Sequence, residues 1–85
     1  MQINDLTEKI IGLAMKVHRK LGPGFLESVY QAALAYELTN AGIPFEKEKA
    51  LPVEYENIKL EVGFRCDFFV DSRVIVECKA VKRNC

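Results

Sequence analysis

Apolar side chains recur at intervals of three or four residues through the first part of the chain. This spacing draws one apolar stripe and predicts an amphipathic helix. The stripe consists of Leu6, Ile10, Leu13, Val17 and Leu21. Asp5 and Glu8, three residues apart, resemble the start of a capping box, and Gly22-Pro23-Gly24 interrupts the helix at its other end.

A second helix is predicted from the residues after Gly24 to about Asn40. Its apolar face is wide and consists of Leu26, Val29, Tyr30, Ala33, Leu34 and Leu38. Gly42 is a suitable C′ residue for ending this helix, and Pro44 prevents it from resuming.

The hydrophobic period then changes from that of a helix to that of a strand. Residues 45–49 alternate only weakly, whereas 51–55 read as a short edge strand because they contain a proline. A turn at Glu56-Asn57 leads into alternating residues from Ile58 to Val70, with Gly63 as a bend, and a last strand is predicted from Val74 to Ala80. The fold class is therefore α+β, with N-terminal helices followed by a three-stranded antiparallel meander in a single domain, 1–85.

Hydrophobic matching selects one register for the last hairpin. A two-residue loop would place Val70 opposite Arg73 and Cys66 opposite Glu77, so that apolar side chains face charged ones on the same face of the sheet. A three-residue loop, 71–73, makes one face continuously apolar, and burial fixes register strongly. This second register pairs Val70 with Val74, Phe68 with Val76, and Cys66 with Cys78.

The same register brings two carboxylates together on the opposite face. Asp67 falls beside Glu77, and Lys79 follows on the same side two residues later. Adjacent like charges are destabilising unless a cation or a proton is shared, and two carboxylates with water suit Mg²⁺ or Mn²⁺. The alternative is a solvated sheet face, on which Lys79 and Arg65 neutralise the two acids.

Composition and charge restrict the class of protein. The 85 residues carry twelve basic and twelve acidic side chains, with 49% hydrophobic residues, as expected for one folded soluble domain. Zero net charge argues against massive nonspecific nucleic-acid binding, although the middle of the chain is acidic and both ends are mildly basic. No membrane span or signal peptide is evident, which predicts a cytoplasmic protein. Three cysteines without CxxC spacing make a poor disulfide framework and a poor zinc site.

Two short motifs carry a family resemblance. Asp67, followed after nine residues by Glu77-Cys78-Lys79, resembles the core motif of the PD-(D/E)XK nuclease superfamily, with Cys66 at the position that this name gives to proline. Upstream, Gly24, Glu27 and Tyr30 match the spacing Gly-x-x-Glu-x-x-Tyr and resemble the bacterial GxxExxY proteins, a group within that superfamily.

The resemblance implies a restriction-endonuclease-like core, a central mixed sheet flanked by helices. Similar proteins continue beyond the Glu-x-Lys strand with another helix and strand, which this chain lacks. We therefore expect a truncated domain, or a sheet edge covered by another subunit in a homodimer.

The resemblance also implies roles for individual residues. Asp67, Glu77 and the Cys78 carbonyl would hold Mg²⁺ or Mn²⁺, Lys79 would orient the attacking water, and Glu27 would add a further acidic group. The implied activity is metal-dependent hydrolysis of phosphodiester bonds in nucleic acid, with DNA favoured over RNA. The alternative is a non-catalytic binding or dimerisation module of the same fold.

Purely structural interpretations of several of these residues stay open beside the catalytic roles. Glu27 lies three residues after a possible Gly24 N-cap and would then only cap the helix. Tyr30 would hydrogen-bond Glu27 or simply pack, and His18 is expected at the surface. Cys66 and Cys78 are expected to be thiols, although a crosslink between them is geometrically feasible, and Cys85 is expected to be exposed.

Overall fold

Two helices form the N-terminal half of the protein. The computed structural model describes residues 1–79, without the side chain of Val62. Helix α1 spans Ile3–Leu21 and helix α2 spans Glu27–Asn40. The residue before α1 is Gln2, which makes no side-chain cap, so the predicted capping box is wrong; Asp5 instead lies in the first turn, where its charge meets the positive end of the helix dipole.

Helix α2 ends in a Schellman motif. Gly42 has a φ of 71°, its N–H donates to Thr39 O, and the Ile43 N–H donates to Leu38 O, each at 3.0 Å. This is the pattern in which a left-handed glycine satisfies the last carbonyls of a helix. The predicted role of Gly42 is confirmed, and Ile43 follows it as a buried side chain.

Four of the five residues of the predicted apolar stripe of α1 are buried, and the fifth, Leu21, is half-buried. The described residues divide into two compact units, of which the first contains Met1–Pro44 together with Cys78 and Lys79. Within this unit α1 packs against α2, and the Lys16 ammonium contacts the Glu37 carboxylate at 3.1 Å. The buried side chains of the two helices are Leu6, Ile10, Leu13, Val17, Leu34 and Leu38.

The second unit, Phe45–Glu77, is an antiparallel sheet. Strand β1 spans Phe45–Tyr55, β2 spans Ile58–Val70 and β3 spans Val74–Val76, in the order β1-β2-β3. The meander is confirmed, but β1 begins at Phe45 because its weakly alternating first residues pair regularly with β2. Strand β3 ends at Val76, so the predicted extension to Lys79 is wrong, and Ala80 lies outside the described residues.

One face of the sheet is apolar, and it is buried around the C-terminal residues of β2. Cys66, Phe68 and Val70 on β2 are fully buried, at 0% exposure. The Phe45 and Phe68 rings meet edge to face, with centroids 5.6 Å apart. Because side chains alternate across a strand, Asp67 and Phe69 lie on the opposite face.

The register of the last hairpin follows the three-residue loop. Val70 pairs with Val74, and Phe68 pairs with Val76. The turn itself is tighter, because the Arg73 N–H donates to Val70 O at 3.0 Å and Asp71 and Ser72 both have positive φ. Arg73 is therefore one extra residue between a two-residue turn and the first pair of the ladder. Its guanidinium forms an ion pair with the Asp71 carboxylate at 2.7 Å.

The β1–β2 hairpin contains a register shift halfway along. Pro52 pairs with Gly63, whereas Val53 pairs with Leu60. A Cβ atom on Gly63 would lie 1.8 Å from Leu51 O, so only glycine allows the two backbones to approach this closely. The predicted bend at Gly63 is confirmed.

Candidate functional site

The two carboxylates predicted as metal ligands lie at one end of the β2–β3 hairpin. Asp67 is half-buried on the central strand, next to Phe68, and Glu77 directly follows β3. Phe68 and Val76 form the last pair of the ladder. The position opposite Asp67 is therefore the first position beyond the described pairing, and it is occupied by Glu77.

The predicted pairing of Asp67 with Glu77 inside a continuous ladder is wrong. The hydrogen-bonded ladder stops at Val76, so the sheet alone does not hold Glu77 against Asp67. The alternation of exposure nevertheless continues past the strand, since Cys78 is half-buried while Glu77 and Lys79 are exposed. Glu77 thus continues the exposed side of β3, whereas Cys78 and Lys79 belong to the helical unit, so their participation in one site with Asp67 stays a prediction.

An apolar pair borders the carboxylates. Phe69 pairs with Ile75 one step from Asp67 and Glu77, and it is half-buried. Charged groups on this part of the sheet are therefore bordered by hydrocarbon, of which Phe69 is half-buried and Ile75 is 45% exposed.

A third carboxylate lies on β1 at the register position opposite Asp67, and the sequence analysis did not identify it. Glu48 falls between the pairs Lys47–Phe68 and Lys49–Cys66, which is the register position of Asp67. Its φ is 54°, and its carboxylate approaches the Arg65 guanidinium at 3.9 Å. Only the pairing of β1 with β2, which the weak alternation of residues 45–49 did not predict, could have revealed it.

The residues present fit a hard cation bound by few protein ligands. Among residues 1–79, no group of three or more His, Cys, Asp and Glu side chains is arranged to hold a metal ion. Mg²⁺ commonly uses one or two carboxylates and keeps several waters. Asp67 and Glu77 are two carboxylates of that kind within the sheet unit, whereas the contribution of the Cys78 carbonyl stays a prediction because Cys78 belongs to the other unit.

Cys66 and Cys78 are both in the thiol form. Cys66 is buried, and its thiol donates to Lys49 O at 3.5 Å. Cys78 is half-buried. Cys85, the third cysteine, lies outside the described residues.

Glu27 is the first residue of α2, and Leu26 is the N-cap. The predicted N-cap at Gly24 is therefore wrong, because the helix begins two residues later than a capping box would require. The exposed Glu27 carboxylate lies at the positive end of the helix dipole. Glu27 belongs to the helical unit and Asp67 to the sheet unit, so its participation in one site with Asp67 stays a prediction.

Tyr30 on α2 contacts the C-terminal end of α1 and the loop that joins the two helices. Its hydroxyl donates to Gly22 O at 2.5 Å, and its ring stacks on His18 with centroids 5.1 Å apart. Phe25 meets the same ring edge to face at 6.3 Å. The Tyr30 hydroxyl thus donates its hydrogen bond to Gly22 O and not to Glu27. The surface position predicted for His18 is confirmed.

Comparison with known proteins identifies the family. A family model of the PD-(D/E)XK nuclease superfamily matches residues 4–84, whereas no curated protein and no solved structure matches the chain. Within residues 1–79, neither helix is long and apolar enough to cross a membrane. Two helices followed by an antiparallel meander agree with the α+β fold of that family. The match covers nearly the whole sequence and includes both Asp67 and Glu77-Cys78-Lys79, so the chain belongs to the PD-(D/E)XK nuclease superfamily.

Proposed function

We propose that the protein is a metal-dependent nuclease-like phosphodiesterase that hydrolyses nucleic-acid phosphodiester bonds. The observation that carries this proposal is the family match over residues 4–84, which contains Asp67 at the end of the β2–β3 ladder and Glu77 at the position opposite. DNA is the favoured substrate, and the proposed location is the cytoplasm. Gly24, Glu27 and Tyr30 support the narrower assignment to the GxxExxY group.

The proposed mechanism divides the chemistry among neighbouring residues. Asp67, Glu77 and the Cys78 carbonyl would hold Mg²⁺ or Mn²⁺. Bound there, the ion would activate a water and neutralise charge that develops on the scissile phosphate. Lys79, two residues after Glu77 and exposed, would orient the water and donate hydrogen bonds to a phosphate oxygen.

Glu27 is proposed as a further acidic group that acts directly or through water. Its place at the first residue of α2 also gives it a purely structural role, because a carboxylate there interacts favourably with the helix dipole. The two roles differ in their consequences: Glu27→Gln lowers cleavage if the first is correct, and lowers only helix stability if the second is correct.

The second candidate function is a non-catalytic binding or dimerisation module. Exposed apolar side chains on the β1–β2 hairpin favour it, among them Tyr55 and Ile58. Edge-to-edge pairing of two sheets was predicted from sequence and stays a prediction. At the β1 edge it is opposed by Pro52, which lacks an N–H, and by the irregular backbone at Glu48.

A cleavage assay tests the catalytic proposal. Purified protein is incubated with end-labelled single-stranded DNA, duplex DNA and RNA, in Mg²⁺, in Mn²⁺ and in a chelator. We expect metal-dependent cleavage that falls on the order of 100-fold in Lys79→Met, since a positioned cation at the reacting phosphate contributes about that much. Lys9→Met, which alters an exposed lysine on α1, is the matched control.

Two results would refute the catalytic proposal. One is cleavage by Lys79→Met and Asp67→Asn at the wild-type rate, which would trace the activity to a contaminant or to another site. The other is absence of cleavage of every substrate by protein that binds Mn²⁺, which would leave the binding module as the function.

A further inference from the structure

Arg65 is an exposed arginine on the same face of the sheet as the carboxylates of the candidate site. It lies on β2 two residues before Asp67, so the two side chains are on one side of the strand and about 7 Å apart along it. On the other side of Asp67 the residue at the same spacing is Phe69, which has no hydrogen-bonding side chain. Arg65 is therefore the nearest side chain of β2 on this face that can bind an anion.

The neighbours of Arg65 leave its guanidinium accessible. The residue that pairs with it on β1 is Ala50, and the residue two positions earlier on β2 is Gly63. Both are small, and the Arg65 side chain is 64% exposed. A ligand can thus reach the guanidinium from the solvent without displacing a packed side chain.

The ion pair between Arg65 and Glu48 is a loose one. The guanidinium lies 3.9 Å from the Glu48 carboxylate, which belongs to a side chain that is 60% exposed. This distance is too long for a hydrogen bond, whereas Arg73 approaches Asp71 at 2.7 Å. Because exposed ion pairs contribute little to stability, an anion with better geometry can replace Glu48 beside Arg65.

The charges on this face show why a bound nucleic acid needs such a cation. Strand alternation and register place four carboxylates of the sheet unit here, and an acidic surface repels phosphates. A divalent ion at the candidate site would compensate this repulsion mainly at its own position. The Lys49 ammonium already contacts Glu46 at 3.0 Å, so Arg65 is the cation available to a phosphate beside the site. The four carboxylates are Glu46, Glu48, Asp67 and Glu77.

We propose that Arg65 binds the phosphate next to the scissile one, and that it exchanges Glu48 for this phosphate when nucleic acid binds. The inference rests on the proposed function, because that function places the scissile phosphate at Asp67 and Glu77. A guanidinium presents a planar fork of N–H donors that matches two oxygens of a phosphate. A contact of this kind fixes the register of the nucleic-acid backbone over the carboxylates without reading its sequence.

Fluorescence anisotropy with labelled single-stranded DNA tests the contact. Binding is measured in Mg²⁺ in a Lys79→Met parent, in which the DNA is expected to stay largely intact, and a gel checks that it does. We expect Arg65→Met to weaken binding about tenfold, because a charged hydrogen-bonded contact is lost. The slope of log affinity against log salt should fall by about 0.7, the value for one phosphate contact with a single strand. Arg65→Lys should keep the slope but not the full affinity, because lysine keeps the charge and lacks the fork.

Two further variants exclude a general effect of charge. Arg73→Met is the matched control, because Arg73 is also an exposed arginine of the sheet unit that pairs with an exposed carboxylate; its affinity and salt slope should stay close to those of the parent. Glu48→Gln should tighten binding more when Arg65 is present than in the Arg65→Met variant, since the carboxylate competes with the phosphate for the guanidinium. Equal tightening in both backgrounds would contradict that competition.

The cleavage assay separates this inference from the proposed function. With Lys79 restored, Arg65→Met should raise KM and leave kcat nearly unchanged, because a contact made equally in the ground state and the transition state affects KM alone. Protein that binds DNA through Arg65 but cleaves no substrate would contradict the proposed function and support the Arg65 contact. Circular dichroism confirms that each variant is folded.

Four results overturn the inference. They are binding by Arg65→Met at the affinity of the parent, equal weakening by Arg65→Met and Arg73→Met, and cleavage by Arg65→Met with the wild-type KM. The fourth is a protein that binds neither single-stranded DNA, nor duplex DNA, nor RNA.

Discussion

The close approach of two strands at Gly63 yields a prediction about stability. Gly63 pairs with Pro52 at the point where the β1–β2 register shifts. In Gly63→Ala the added Cβ would lie 1.8 Å from Leu51 O and 2.9 Å from the Leu51 carbonyl carbon. Both contacts are with backbone, so no side-chain rotation relieves them.

The cost follows from the displacement that the added methyl group requires. Nonbonded carbon contacts are favourable only near 3.5–4.0 Å, so the strands must separate by more than about 1 Å around Gly63. This movement disrupts the neighbouring pair of Leu51 with Phe64. Forcing an extra methyl group into a packed position typically costs 1–3 kcal/mol. We expect Gly63→Ala to lower the free energy of unfolding by about 2 kcal/mol.

The same substitution elsewhere provides the control. Gly12 lies inside α1, and nothing is within 4 Å of a Cβ atom placed on it. Gly12→Ala should therefore raise the free energy of unfolding by about 0.5–1 kcal/mol, because alanine is the better helix former. Urea denaturation followed by circular dichroism measures both. A Gly63→Ala variant as stable as the wild type would refute the assigned strand approach.

Three further substitutions have expected outcomes in the same denaturation assay. Tyr30→Phe removes the hydrogen bond to Gly22 O and should cost about 1 kcal/mol; an unchanged stability would show that this bond contributes nothing. Glu56→Asn should stabilise by about 0.5 kcal/mol, because Glu56 has a φ of 47° that asparagine tolerates better; a loss of stability would contradict the turn geometry. Lys16→Met breaks the contact with Glu37 and should cost about 0.5 kcal/mol at low salt and less in 1 M salt; a cost that does not change with salt would indicate lost packing.

The helices were predictable because their signals are local. The stripe containing Leu6, Ile10 and Val17 repeats at the helical period, and all its members except the half-buried Leu21 are buried. The helix starts were less predictable. Neither Gln2 nor Leu26 makes a side-chain cap, so the polar residues that resemble capping signals do not decide where each helix begins.

The sheet shows which information a single sequence lacks. The register of β2 with β3 followed from hydrophobic matching at Phe68 and Val70, because a slip would expose a buried face. Matching does not say where hydrogen bonding stops, and the ladder ends before Glu77. Nor does it show how far an edge strand extends: residues 51–55 were predicted as one, but β1 begins at Phe45, where mostly exposed residues are held by β2 and not by their own alternation.

The central claim is that Asp67 and Glu77 bind a divalent cation for phosphodiester hydrolysis. Isothermal titration of Mn²⁺ into wild type, Asp67→Asn and Lys79→Met tests it most directly. We expect binding by the wild type, loss of binding in Asp67→Asn, and retention in Lys79→Met, because the proposed role of the lysine is to act on water and phosphate and not to bind the metal. Mn²⁺ binding by a folded Asp67→Asn variant at wild-type affinity, or no binding by the wild type, would contradict the claim.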